Sequence, residues 1–174
     1  MKIILLISPL FLLVFYISAS GQLSPGDLHR SHEAYEGIRN CSLCHGIGQK
    51  IKAENCLECH KLLAERIRSK EGLHANPGYN DCQTCHVEHH GRDFDLIWWK
   101  NGQENFDHSL TGFTLNGKHT QLKCRDCHQA QFILEKDKLR QQNKDLNRTF
   151  LGLQQMCLNC HRDEHRAQLS SKCL

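Results

Sequence analysis

The pattern C-x-x-C-H occurs five times in this chain. It reads CSLCH at 41–45, CLECH at 56–60, CQTCH at 82–86, CRDCH at 124–128 and CLNCH at 157–161. The spacing carries a specific chemistry. Two thiols three positions apart can add to the two vinyl groups of one porphyrin, forming two thioethers. The histidine that follows then lies under the ring and binds the iron through a ring nitrogen. This is the attachment motif for c-type haem. The expected cofactor is therefore haem c, five copies covalently bound. The attachment residues are Cys41, Cys44, Cys56, Cys59, Cys82, Cys85, Cys124, Cys127, Cys157 and Cys160. The proximal iron ligands are His45, His60, His86, His128 and His161.

Other uses of paired cysteines explain less. Disulfides suit an exported chain, but they leave the histidine after every pair without a reason. Zinc knuckles use C-x-x-C pairs yet do not require a histidine directly after each one. Thioredoxin-type redox pairs come singly, inside a strand–helix unit.

Export is expected from the N-terminus. The opening MKIILLISPLFLLVFYISASGQ has one lysine, an apolar run from Ile3 to Ile17 and small residues before a cut near Ser20 or Gly21. That is the layout of a secretory signal peptide over 1–21. The apolar run is about 15 residues, short of the roughly 20 that span a bilayer. Retained, it would serve as an anchor, and membrane contact is expected only in that case. Localisation follows: exported, the periplasm first and the cell surface second. Net charge is +3, with Lys and Arg interleaved among acids. This gives no case for a nucleic-acid partner.

Leucine, isoleucine, valine and phenylalanine are sparse after the leader, and a conventional core would be thin for this length. Porphyrin faces would supply the missing apolar surface. The fold expected is mostly irregular with short α-helices and little or no β-sheet, wrapped around a chain of covalently bound haems. Two lobes are expected: three haems in 22–100, and two in 101–174.

The sixth ligand decides between a carrier and an enzyme. Of two methionines, Met1 leaves with the leader and Met156 abuts Cys157. Histidine is the available choice. Thirteen histidines are present, and eight lie outside the motif positions. His32 stands nine positions before Cys41, His74 eight before Cys82 and His165 eight before Cys173. His89 and His90 follow His86 by three and four positions, and His165 follows His161 by four. The distal candidates are His29, His32, His74, His89, His108, His119 and His165, with His90 read as merely adjacent. Spacing does not assign each to an iron.

The stretch HRSH at 29–32 ahead of CSLCH resembles the class III multihaem cytochromes c. CHVEHHGRD, FDHSLTGFTLNGKH leading into CRDCH, and CHRDEH are similar to segments of bacterial multihaem proteins related to that family. The resemblance implies that His29 and His32 are distal ligands to two different haems.

The eleventh cysteine, Cys173, lies 16 positions after Cys157, close to the 15 that separate Cys41 from Cys56. With His165 before it, it reads as the opening of a sixth haem motif in a longer chain. A free thiol and an intermolecular disulfide are its plainer readings.

Along the chain, KLLAERIRSK after His60 predicts a short amphipathic helix with Leu62, Leu63 and Ile67 on one side. Trp98 and Trp99 are expected to pack on a porphyrin. FILEKDKLRQQNKDLNRTF at 132–150 is charged and polar, and reads as a solvated helix or loop insert. The function expected is electron transfer, not catalysis. Partners would be redox proteins or a membrane respiratory complex, and docking is expected to be brief, through a small interface. One alternative is the haem subunit of such a complex. A weaker one is an oxyanion reductase with one open iron, against which all five motifs end in histidine.

Overall fold

The computed structural model describes residues 26–46, 48, 50–142, 144–164, 166 and 168. The expected leader at 1–21, His165 and Cys173 lie outside the described residues. Among the described residues the regular elements are short helices and 3-10 turns, with no strand.

The α-helices are α1 (Cys41–Cys44), α2 (Ala53–Cys59), α3 (Lys61–Arg68), α4 (Cys124–Cys127) and α5 (Lys136–Gln141). Helices this short are marginal alone, so what surrounds them matters. α2 carries Glu54 in its first turn, where a carboxylate complements the exposed amide ends. It stops at His60, whose φ of −87° and ψ of 58° leave helical space. α3 restarts immediately with Arg66 and Arg68 in its last turn, the favourable end for cations. Leu62 is buried, Leu63 and Ile67 half-buried, and Glu65 and Arg68 exposed. That is the amphipathic helix expected from the sequence. α4 is held at its start by the Asp126 carboxylate, which accepts the Lys123 N–H at 2.8 Å.

The chain divides into two compact units, neither continuous in sequence. One comprises the residues up to Leu43 together with Gln83–Trp98; the other comprises Cys44–Cys82 and the residues from Trp99 on. This grouping of the polypeptide is separate from the haem lobes expected at 22–100 and 101–174, which stay a proposal.

The apolar core belongs to the second unit and is small. Among the described residues it consists of Leu62, Ile133 and Leu139, with Leu146, Leu151 and Leu153 packed against it. Leu62 comes from α3 and Leu139 from α5, and Lys138 of α5 reaches Glu65 of α3 at 3.4 Å. The backbone of Gly152 fits tightly among them. Its φ is 90°, and a Cβ there would sit 2.7 Å from Ile133 Cγ2 and 3.2 Å from Leu139 Cδ1. The segment 132–150 is thus not merely a solvated insert. Arg140 and Asp137 ride outside, 3.2 Å from one another, while Glu135, Lys136 and Lys144 are half-buried. Ile133 and Leu139, however, are 2 % and 0 % exposed.

Candidate haem-binding sites

Each motif begins a helical turn at its first cysteine, or lies at the end of one. The His60 N–H donates to the Cys56 carbonyl at 2.9 Å, His128 to Cys124 at 2.9 Å, and His161 to Cys157 at 2.8 Å. Residues three and four apart then share one face. In these three motifs both thiols and the imidazole therefore spring from the same side of one turn. α1 spans the first cysteine pair, and a 3-10 turn at Cys82–Thr84 opens the third motif.

The ten motif cysteines are all exposed or half-exposed. No disulfide joins them. Burial raises the Cys56 thiol to about 11, reinforced by the neighbouring Cys82. Burial also raises Cys127, with Cys160 adding to it, and raises Cys160 itself. Thiols of motifs two and three, and of motifs four and five, lie close enough to influence one another.

The most complete site surrounds His128. Its ring faces His108 with 6.4 Å between centroids and planes 35° apart. Around the pair runs a wall of aromatic rings. Phe106 meets His108 edge-on at 5.1 Å, Phe150 meets His128 at 4.9 Å, and Trp99 touches both Phe106 and Phe150 at 5.5 Å. Arg125 caps the wall over Phe150 at 4.3 Å, and its guanidinium holds the carbonyls of His128, Arg148 and Thr149. Burial, then the charges of His108 and Arg125, push His128 down to about 4. It is therefore neutral at physiological pH, the state in which imidazole binds a metal. Its Nδ1 is buried with no hydrogen-bond partner.

A second facing pair occurs at the fifth motif. The ring centroids of His119 and His161 are 5.8 Å apart, with planes at 75°. Phe113 stands edge-on to His119 at 6.4 Å.

These separations allow a fit test. Two imidazoles on opposite sides of one metal, each bonded at about 2 Å, place their centroids about 6 Å apart. Both pairs match. A direct hydrogen bond between two rings would draw them closer. The residues present fit a bis-histidine haem at motifs four and five.

Histidine tautomers support the fit elsewhere. A carbonyl oxygen only accepts, so a ring nitrogen held by one carries the proton and the other nitrogen keeps its lone pair. This is the case for Nδ1 of His108 on Phe106 at 3.3 Å, of His86 on Leu96 at 3.0 Å, and of His89 on Gly26 at 2.9 Å. Each keeps its lone pair on Nε2.

In the first unit, residues 26–36 are lashed to 88–93. The Gly91 N–H donates to Asp27 O at 3.0 Å and the Arg30 N–H to Arg92 O at 3.2 Å. Arg92 reaches Leu28 O at 2.7 Å and the Glu36 carboxylate at 2.9 Å, and Arg30 pairs with Asp93. The seam brings His29, His32 and His89 into one unit. His29 is 5 % exposed, and its Nδ1 accepts the Ser31 N–H at 3.0 Å. Glu88 serves both neighbours. One oxygen accepts the His29 N–H at 2.8 Å, and the other meets His32 Nδ1 at 2.5 Å. Burial pushes the Glu88 carboxyl up, but the bonds from His32 and His29 outweigh it and hold it below its ordinary value.

Of the remaining predicted ligands, His45 is exposed, His60 caps the junction of α2 and α3, and His74 sits in a 3-10 turn at Leu73–Ala75. His90 stacks on Phe94 at 4.6 Å. Trp99 lies in the wall beside His128, whereas Trp98 is 56 % exposed. Among the described residues no three His, Cys, Asp or Glu side chains converge. No described helix is long and apolar enough to cross a membrane. Sequence reading passed over Glu88, Arg125, Phe106 and Phe150. Only Glu88 gave a signal, by standing between two histidine clusters in CHVEHH. Comparison with protein-family models, with curated proteins and with solved structures found no match.

Proposed function

We propose that this chain is a multihaem c-type cytochrome, related to the class III family, that carries electrons between redox partners outside the cytoplasmic membrane. The observation that carries the reading is two close imidazole pairs, His108 with His128 and His119 with His161, each including the histidine of one C-x-x-C-H motif.

When bound, the haem iron supplies a one-electron couple between Fe(III) and Fe(II). The chain's own residues do the rest. The cysteines on each turn hold one porphyrin edge by two thioethers. The histidine after them would hold the iron, and His108 or His119 would join it at motifs four and five. An iron so held by two protein ligands would leave no place for a substrate, which favours a carrier over an enzyme. Histidine ligation without methionine keeps potentials low. The wall of Trp99, Phe106 and Phe150 excludes water beside His128. Low dielectric there disfavours charge on the ring and keeps it neutral. Thiols of motifs two and three, and of motifs four and five, lie near one another, which favours short hops between the centres they would carry. Ligated histidines add no charge and propionates add negative charge, so the surface met by a redox partner is more acidic than +3 implies.

The test is a haem count. The pyridine haemochrome of purified, exported protein is expected to give five c-type haems per chain. Substituting both cysteines of one motif by serine is expected to remove one. A chain that leaves the secretion pathway without covalent haem refutes the proposal.

A further inference from the structure

Glu88 lies outside every motif, yet it touches two of the candidate ligands. Its two oxygens are used differently. Oε2 accepts the backbone N–H of His29 at 2.8 Å, and so is anchored to the chain. Oε1 meets the ring Nδ1 of His32 at 2.5 Å. The anchored oxygen fixes where the other one points. The carboxylate is half-buried, with 26 % of its side chain exposed against 33 % for His32. Three and four residues on, the same strip of chain is held by the Gly91–Asp27 and Arg30–Arg92 backbone bonds, so the pair is not free to drift apart.

A carboxylate at Nδ1 does two things to an imidazole. It fixes the tautomer that keeps the lone pair on Nε2, and it makes that nitrogen more basic by sharing the Nδ1 proton. Nδ1 of His86, His89 and His108 meets a neutral backbone carbonyl, whereas Nδ1 of His32 meets a carboxylate. A more basic ligand stabilises Fe(III) over Fe(II), and hydrogen bonding around the axial ligand is one of the levers that set a haem's potential.

We infer that Glu88 is a positioning residue that orients His32 toward a haem iron and makes that haem the harder one to reduce relative to an otherwise equal bis-histidine site. The inference rests on the proposed reading of His32 as an axial ligand. The chain would then hold haems of unequal potential, set apart by one contact.

The test uses the full holoprotein with E88Q, E88D and H32A, read by spectroelectrochemical titration and by carbon monoxide binding. E88Q keeps the size and an acceptor but removes the charge. It is expected to favour reduction of one haem by roughly tenfold, an upward shift of about 60 mV for one electron. The other midpoints should hold, and no iron should bind the gas. E88D, with a shorter reach, is expected to recover part of that shift. H32A is expected to open one iron to carbon monoxide. If H32A opens none, His32 is not a ligand, and the inference falls with that reading. If H32A opens one iron while E88Q and E88D leave every midpoint unchanged, His32 is a ligand and Glu88 does not tune it. Should E88Q fail to load haem, E88D decides: an unshifted set of midpoints overturns the inference.

Discussion

At the scale of single residues, the decisive geometry is a distance between two rings. His108 and His119 come from separate 3-10 turns, His108–Thr111 and Gly117–Gln121. The first turn is capped by Asp107, whose carboxylate accepts the Ser109 N–H at 2.9 Å. H108A and H119A are each expected to leave one iron with a vacant axial position. Titration of the reduced protein with carbon monoxide should then count one binding equivalent for each variant and two for the double variant. Equal, zero uptake in both would mean that the facing rings do not bracket an iron. The sequence marks a proximal candidate in each C-x-x-C-H and names His108 and His119 among the distal candidates. Which motif histidine each of them meets was not legible. His108 is 20 positions before His128 and His119 is 42 before His161, and only the folded path of loops without periodicity brings them face to face.

At the scale of elements, the helices are short because their sequences change purpose every few residues. His60 ends α2 and begins α3, since its backbone must turn to present the ring. The amphipathic pattern of α3 was readable from Leu62, Leu63 and Ile67. The contribution of α5 was hidden. Ile133 and Leu139 are isolated among charges, too few to register as a stripe, yet they complete the cluster with Leu62 because Gly152 lets the backbone close over them. L139A is expected to cost about 2–5 kcal/mol, as for other buried leucines truncated to alanine. G152A meets both a positive φ and a Cβ contact of 2.7 Å with Ile133, and is expected to cost about 1–3 kcal/mol. Thermal unfolding of the holoprotein checks both. A wild-type midpoint in G152A would mean that the loop relaxes away from the cluster.

At the scale of the whole molecule, a chain of 174 residues whose described core is three buried apolar side chains has too little buried surface to hold itself together on hydrophobic contact alone. The fold class was legible for that reason: sparse aliphatics and five evenly built motifs leave no material for a sheet or a bundle. The division into units was not legible, since both units are assembled from separated stretches of chain. The account expects the chain made without haem attachment to lack a cooperative unfolding transition by calorimetry, while the holoprotein shows one. The central claim, that every iron is held on both sides by protein, has a direct test in the visible spectrum of the dithionite-reduced holoprotein before and after carbon monoxide. The account predicts superimposable spectra. A shifted Soret band would reveal an open iron and contradict the assignment of this chain as a carrier.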